Sequence, residues 1–172
     1  MMKIIKQVKI HEGFSGIPYL CTNNCITIGY GRNLDSNPFS REEIIFITDG
    51  SCFVNDEDDD VIWYRDYEVN PLTEKEASYL LQNDLTRVSY ELSKKIECFH
   101  KLSDCRKAVL INMGFQMGIK GLMNFKQTLY HIRWGEFENA SKEMLDSKWF
   151  REDSPNRALE LSEQMRTGKW KI

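Results

Sequence analysis

No run of 18 apolar residues occurs in this sequence, so no segment is built to cross a bilayer as a helix. The N-terminus, MMKIIKQVKIHEG, carries lysines but neither an apolar h-region nor a small-residue cleavage site. That pattern excludes a secretory signal and leads to the expectation of a protein made and kept in the cytoplasm. The five cysteines (21, 25, 52, 98 and 105) form no CxxC pair and no even set, which excludes a secreted disulfide scaffold and makes reduced thiols the default. Proline is scarce, at 4 residues, and no repeat or low-complexity linker divides the chain. A large charge of one sign is also lacking. The formal net charge is −3, from 23 Lys+Arg against 26 Asp+Glu, which argues against a nucleic-acid binder held by bulk charge. The balance is uneven along the chain: residues 101–172 carry 13 basic and 9 acidic groups, and residues 1–100 carry 10 and 17.

What is present suits one domain with a real core, since 172 residues at 41% hydrophobic is ordinary globular composition. Ile4, Ile5, Val8 and His11 recur at helical spacing and predict a first helix over 3–12, stopped by Gly13. Two β-rich runs, Tyr19-Leu20-Cys21 and Cys25-Ile26-Thr27-Ile28, flank Thr22-Asn23-Asn24 and read as a hairpin. Ser40-Arg41-Glu42-Glu43 has capping-box spacing and opens a second helix, ended by Gly50. Thr73-x-x-Glu76 is another capping box. It starts a long helix whose stripe is Ala77, Leu81, Leu85, Val88, Leu92, Ile96 and Phe99. Further helices are expected from Asp104 to Met117, Met123 to Trp134, Phe137 to Lys148 and Pro155 to Gly168, punctuated by Gly118, Gly121, Gly135 and Gly168.

Chemistry concentrates near the N-terminus. Glu12 closes the first helix, where the negative end of the helix dipole favours a proton-bearing carboxyl, as a general acid requires. Taken alone, a Glu at a helix end is ordinarily solvated surface, and a hairpin Cys is ordinarily a small buried hydrophobe. Strand alternation places Cys21 and Thr27 on one face only if the loop between the strands has an odd number of residues, as Thr22-Asn23-Asn24 does. Such a loop also sets Cys25 opposite Cys21, where the alternatives are a strained disulfide and two reduced thiols. The acidic run Asp56 to Asp60 fails as a calcium loop, because the sixth position from Asn55 is Asp60 and the twelfth is Asp66. Cys98, His100 and Cys105 lack zinc-like spacing and a fourth ligand.

The stretch HEGFSGIPYLCTNNCITIGYGRNLD holds Glu12, eight residues, Cys21, five residues, then Thr27, running into Thr-Ile-Gly-x-Gly. In this it resembles the bacteriophage-type lysozymes, the T-even phage lysozyme and its endolysin relatives, of glycoside hydrolase family 24. Further blocks follow in the family's order: Leu110 to Gly118, Phe125 to Leu129, Ser147-Lys148-Trp149, Pro155-Asn156-Arg157-Ala158 and Arg166-Thr167-Gly168. Arg32 follows Gly31 where the T-even enzyme has His.

The resemblance implies an α+β, lysozyme-like fold. A small N-terminal β-hairpin lobe (13–72) is expected, with a larger all-helical lobe (1–12 plus 96–172), a connecting helix near 73–95 and a sugar cleft between the lobes. The implied activity is that of a muramidase, hydrolysing the β-1,4 bond between N-acetylmuramic acid and N-acetylglucosamine in bacterial peptidoglycan. Glu12 is then the acid, Cys21 the second group and Thr27 an aid in placing water. Arg157 is expected near Glu12, with Phe115, Gln116 and Trp149 lining the cleft. Cysteine is the unusual choice, because a free thiol is only a few per cent ionised at pH 7 while an aspartate is fully so. Base, nucleophile and positioning group stay open for it. No cofactor and no metal are expected, and the protein is read as a monomer that binds no nucleic acid and inserts in no membrane. It is expected to wait in the host cytoplasm until a phage-encoded pore, a holin, lets it reach the wall. Lytic transglycosylation of the same bond and a non-catalytic wall-binding module are the alternatives.

Overall fold

A computed structural model describes residues 2–21, 24–48, 53–54, 61–62 and 70–172. Thr22, Asn23, Gly50, Cys52 and the acidic run 56–60 lie outside the described residues. The chain forms two compact units, Met1–His11 with Asp84–Ile172, and Glu12–Asn83.

The first helix, α1, spans Met2–Glu12 and ends where Gly13 takes the left-handed conformation (φ 71°), a helix stop that glycine adopts without steric cost. In the Glu12–Asn83 unit, β1 (Ser15–Leu20) pairs antiparallel with β2 (Ile26–Gly29) in the register Leu20 to Ile26 and Tyr19 to Thr27. A third strand, β3 (Arg32–Asn33), adds to β2, so the sheet order is β1-β2-β3. The sequence reading had only the hairpin, because two polar residues carry no alternation. What makes β3 is the turn before it, where Gly29 and Gly31 both take positive φ (67° and 80°) and reverse the chain around Tyr30. A short helix, α2 (Arg41–Ile47), begins at Ser40 with the expected capping box and ends three residues before Gly50. A two-stranded ladder pairs β4 (Phe53–Val54) with β5 (Val61–Ile62). The unit's apolar core is Ile28, Ile47, Leu72 and Leu80, with Leu34, Phe39 and Tyr79 packed against it.

The long helix α3 (Glu74–Lys95) starts at the Thr73 capping box, where the Thr73 hydroxyl accepts from the Glu76 N–H at 3.2 Å and Glu76 accepts from the Thr73 N–H at 2.7 Å. Every residue of its expected stripe is buried, and the last two lie past the helix end, Ile96 in the link and Phe99 at the start of the 3-10 turn that follows. In the other unit come α4 (Asp104–Met123), α5 (Lys126–Arg133), α6 (Phe137–Leu145) and α7 (Pro155–Thr167). Gly118 (φ 74°, ψ 161°) breaks α4 in a conformation open essentially to glycine alone. α6 ends at Leu145, three residues short of the expected Lys148, and a single π-turn over Trp149–Asp153 leads on to α7. Ile4 and Val8 of α1, Leu85 and Leu92 of α3, Leu110 and Met113 of α4 and Leu161 and Met165 of α7 are core residues of this unit. No described helix is long and apolar enough to cross a membrane.

Arg32 and Glu43 form a bidentate ion pair at 2.6 and 2.7 Å, both side chains almost fully buried. Glu43 also accepts from the Ser40 N–H (3.0 Å) and from Asn83 (2.9 Å), while Arg32 donates to the Leu80 carbonyl (3.3 Å). Burial pushes the Glu43 carboxyl up, but the hydrogen bonds from Arg32, Asn83 and Ser40 and the charge of Arg32 outweigh it and hold the group below the ordinary 4.5.

Removing one partner of this pair strands the other as a buried charge, so Arg32→Ala is expected to cost about 3–5 kcal/mol in a denaturant titration. Because the folded value of Glu43 is lowered, its contribution is present above about pH 4.5 and is lost as pH falls from there through the folded value. Glu43→Gln is expected to remove that part of the acid slope while lowering stability at neutral pH. Stability measured from pH 3 to 7 checks both.

Candidate active site

In the Glu12–Asn83 unit the site is built on the end of α1 and the β1–β2 hairpin. Glu12 is half-buried, and its carboxyl lies against the backbone of Gly31. A Cβ at position 31 would sit 2.8 Å from Glu12 Oε2 and 3.2 Å from its Cδ. The glycine therefore does two things, supplying the positive φ of the turn and leaving room for an acid.

The hairpin register continues past Leu20 to Ile26, since the Cys21 N–H donates to the Cys25 carbonyl at 3.0 Å. Cys21 and Cys25 face one another, and both are thiols. Asn24 closes the loop at φ 62°, the left-handed conformation that Asn tolerates. With Tyr19 paired to Thr27, side-chain alternation puts Tyr19, Cys21, Cys25 and Thr27 on one face of the hairpin. Thr27 is buried, and its hydroxyl donates to the Cys25 carbonyl at 3.2 Å. The Tyr19 phenol is raised above its usual 10.0, first by burial and then by the negative charges of Glu12 and Cys21. Glu12 and Cys21 thus act on one group, although eight residues stand between them in the chain. Next to them Phe14 packs on Tyr30, ring centres 5.4 Å apart, and Tyr30 donates to Glu74 at 3.4 Å. Sequence reasoning passed over Tyr19 and Tyr30; an aromatic framed by Gly29 and Gly31 was the signal for the second.

In the other unit, the structure fastens Gln116 at both ends. Its carbonyl oxygen accepts from Trp149 Nε1 at 3.0 Å and its amide donates to Ser154 Oγ at 2.6 Å. Ser154 precedes α7 and makes no side-chain cap there, because its hydroxyl is turned to Gln116 and Pro155 removes one donor from the first turn. Trp149 is only 4% exposed and meets the Phe125 ring edge-on at 6.0 Å, so its ring is core while its N–H positions Gln116. Phe115 is half-buried. A groove of about 600 Å³, within the range of ligand sites, runs past Trp149, Phe125, Thr128, Lys126 and Lys148. Arg157 is buried and donates through Nε to Asn112 Oδ1 at 2.8 Å, a partner that sequence reasoning did not single out. Cys98 and Cys105 are both pushed up by burial and stay protonated at neutral pH.

Residues 9–161 match the family model described as phage lysozyme. A stretch of 100 residues is 33% identical to "Probable T4-type lysozyme 1" of Dictyostelium discoideum and covers 56% of this chain and 58% of that protein. Another of 93 residues is 31% identical to "Pre-baseplate central spike protein Gp5" of Enterobacteria phage T4, covering 51% of this chain and 16% of that protein. The chain therefore matches less than two thirds of either relative's length.

Gly31→Ala is expected to destabilise by about 1–3 kcal/mol, from positive φ and from the clash with Glu12. Glu12→Ala relieves the clash but not the strain. A double-mutant cycle is therefore expected to give a coupling of about 0.5–3 kcal/mol, the pair costing less than the sum of the singles.

Proposed function

Since the chain belongs to the phage lysozyme family by a match over residues 9–161, we propose that it is a muramidase cleaving the β-1,4 bond between N-acetylmuramic acid and N-acetylglucosamine in bacterial peptidoglycan. The observation that carries this reading is the hairpin face that gathers Tyr19, Cys21 and Thr27 in the same unit whose Gly31 makes room for the Glu12 carboxyl. Cleavage of a glycosidic bond needs an acid on the leaving oxygen and a second group across the sugar ring. Glu12 is assigned the acid and Cys21 the second group. Thr27, whose hydroxyl proton is directed to the Cys25 carbonyl, keeps its oxygen lone pairs for a water. The doubly tethered Gln116, with Phe115 and the groove beside Trp149, is assigned to binding the wall polymer, and so is Arg157. No cofactor takes part. In a phage this activity serves host lysis, the enzyme reaching the wall after a pore opens, and it needs no subunit partner.

Turbidity of purified peptidoglycan tests the reading directly. Wild type is expected to clear it, and Glu12→Gln to lose at least 99% of the rate, about the low end of a general acid's contribution, while melting as wild type does. Cys21→Asp is expected to retain activity and Cys21→Ala to lose most of it. A fully active Cys21→Ala would place the second group elsewhere. Product mass separates hydrolysis from transglycosylation, since only hydrolysis adds one water to each cleaved bond.

A further inference from the structure

Four side chains of the helical unit form a polar chain whose hydrogen positions are set by elimination. Arg157 can only donate, so the oxygen of the Asn112 amide is the atom that faces its Nε at 2.8 Å. The Asn112 NH2 then faces His11 Nδ1 at 3.2 Å, and Nδ1 has to accept. His11 is thereby the neutral tautomer with its proton on Nε2, which it donates to Glu160 at 2.9 Å. Asn112 is fully buried, and the His11 side chain is 8% exposed, so water does not substitute for a lost bond at little cost.

A second proton on His11 has no place in this order. It sets N–H against NH2 at Asn112, and turning the Asn112 amide over only moves the conflict to Arg157, where NH2 then meets the guanidinium N–H. From the elements packed around the imidazole, α4 presents the neutral Asn112, and α7 presents Glu160 directly and Arg157 on the far side of Asn112. Lys171 of the C-terminal segment lines the same small cavity, of about 220 Å³, with Gln7 and Ile10. On α1 itself, Glu12 is the next residue. Glu160 favours the charged imidazole, whereas the Asn112 bond tolerates only the neutral one.

We propose that His11 is a positioning residue whose neutral form orients Asn112 and, through it, the Arg157 guanidinium, and whose protonation breaks the bond from Arg157 Nε to the Asn112 side chain while the 3.5 Å bond to the Asn112 backbone carbonyl stays. This rests on the assignment of Arg157 to the muramidase site made above.

Nitrogen-detected NMR of the imidazole in the full chain reads the tautomer without any activity. The expected result at neutral pH is a proton on Nε2 and none on Nδ1, with the Asn112 amide protons shifting as His11 titrates. A proton on Nδ1 at neutral pH, or Asn112 signals indifferent to that titration, overturns the relay whether or not the protein cleaves wall. The kinetic arm compares wild type with His11→Asn, whose amide oxygen offers an acceptor where Nδ1 stood and does not titrate. Wild-type kcat is expected to fall about tenfold per pH unit on its acid limb, as one proton requires, with KM little changed. His11→Asn is expected to hold the neutral rate within about threefold and to lack that limb. The same acid limb in both proteins overturns the proposal. Failure of every form to clear peptidoglycan refutes the muramidase reading instead, and the NMR arm then decides the relay alone.

Discussion

The Glu12–Asn83 unit is organised around one buried carboxylate. Glu43 closes the capping box of α2, receives both arms of the Arg32 guanidinium and accepts from Asn83 on α3. A strand, a helix start and a second helix therefore share a single pair of oxygens. Arg32 is the residue after Gly31, whose missing side chain leaves room for the Glu12 carboxyl, and it is paired through β3 with Ile28 of the core. The place where the acid rests is thus fixed by a charge pair one residue away. Lysine could not replace this arginine, since a point ammonium does not match two carboxylate oxygens and a carbonyl at once.

Features with a period or a local rule were readable from the chain. The stripe from Ala77 to Phe99 is buried throughout because helical spacing predicts which residues share a face. Both capping boxes formed because four adjacent residues contain all the groups involved. Hairpin parity likewise followed from a three-residue loop, and it brings Cys21 and Thr27 to one face. What escaped was contact between polar residues remote in sequence. Nothing in the chain marks Arg32 for Glu43, Ser154 for Gln116, or Asn112 for both His11 and Arg157. Such pairings obey donor and acceptor valence, which becomes decisive only once burial has removed water as a partner.

The two units answer the problem of buried polarity in different ways. One uses full charges, and its stability is tied to the ionisation of a carboxyl. The other uses mostly neutral amides: Gln7 donates to Gln164 and to the Lys171 carbonyl, and Gln164 donates to the Cys105 carbonyl. A chain of neutral groups has direction, because every amide has one donating and one accepting end, and a change at one end has to be taken up at the other.

The Trp149 indole also gives the molecule an optical reporter. Its ring is held edge-on to Phe125 at the wall of the groove, and its N–H is committed to Gln116, whereas Trp134 stands 63% exposed on the surface. An aqueous quencher reaches Trp134 and leaves the emission of Trp149 intact. Whatever pulls on Gln116 changes the hydrogen bond of the excited indole and shifts its colour. Once Trp63 and Trp170 are replaced by phenylalanine, fluorescence read in the presence of quencher therefore follows the groove rather than the surface, with no label added to the chain.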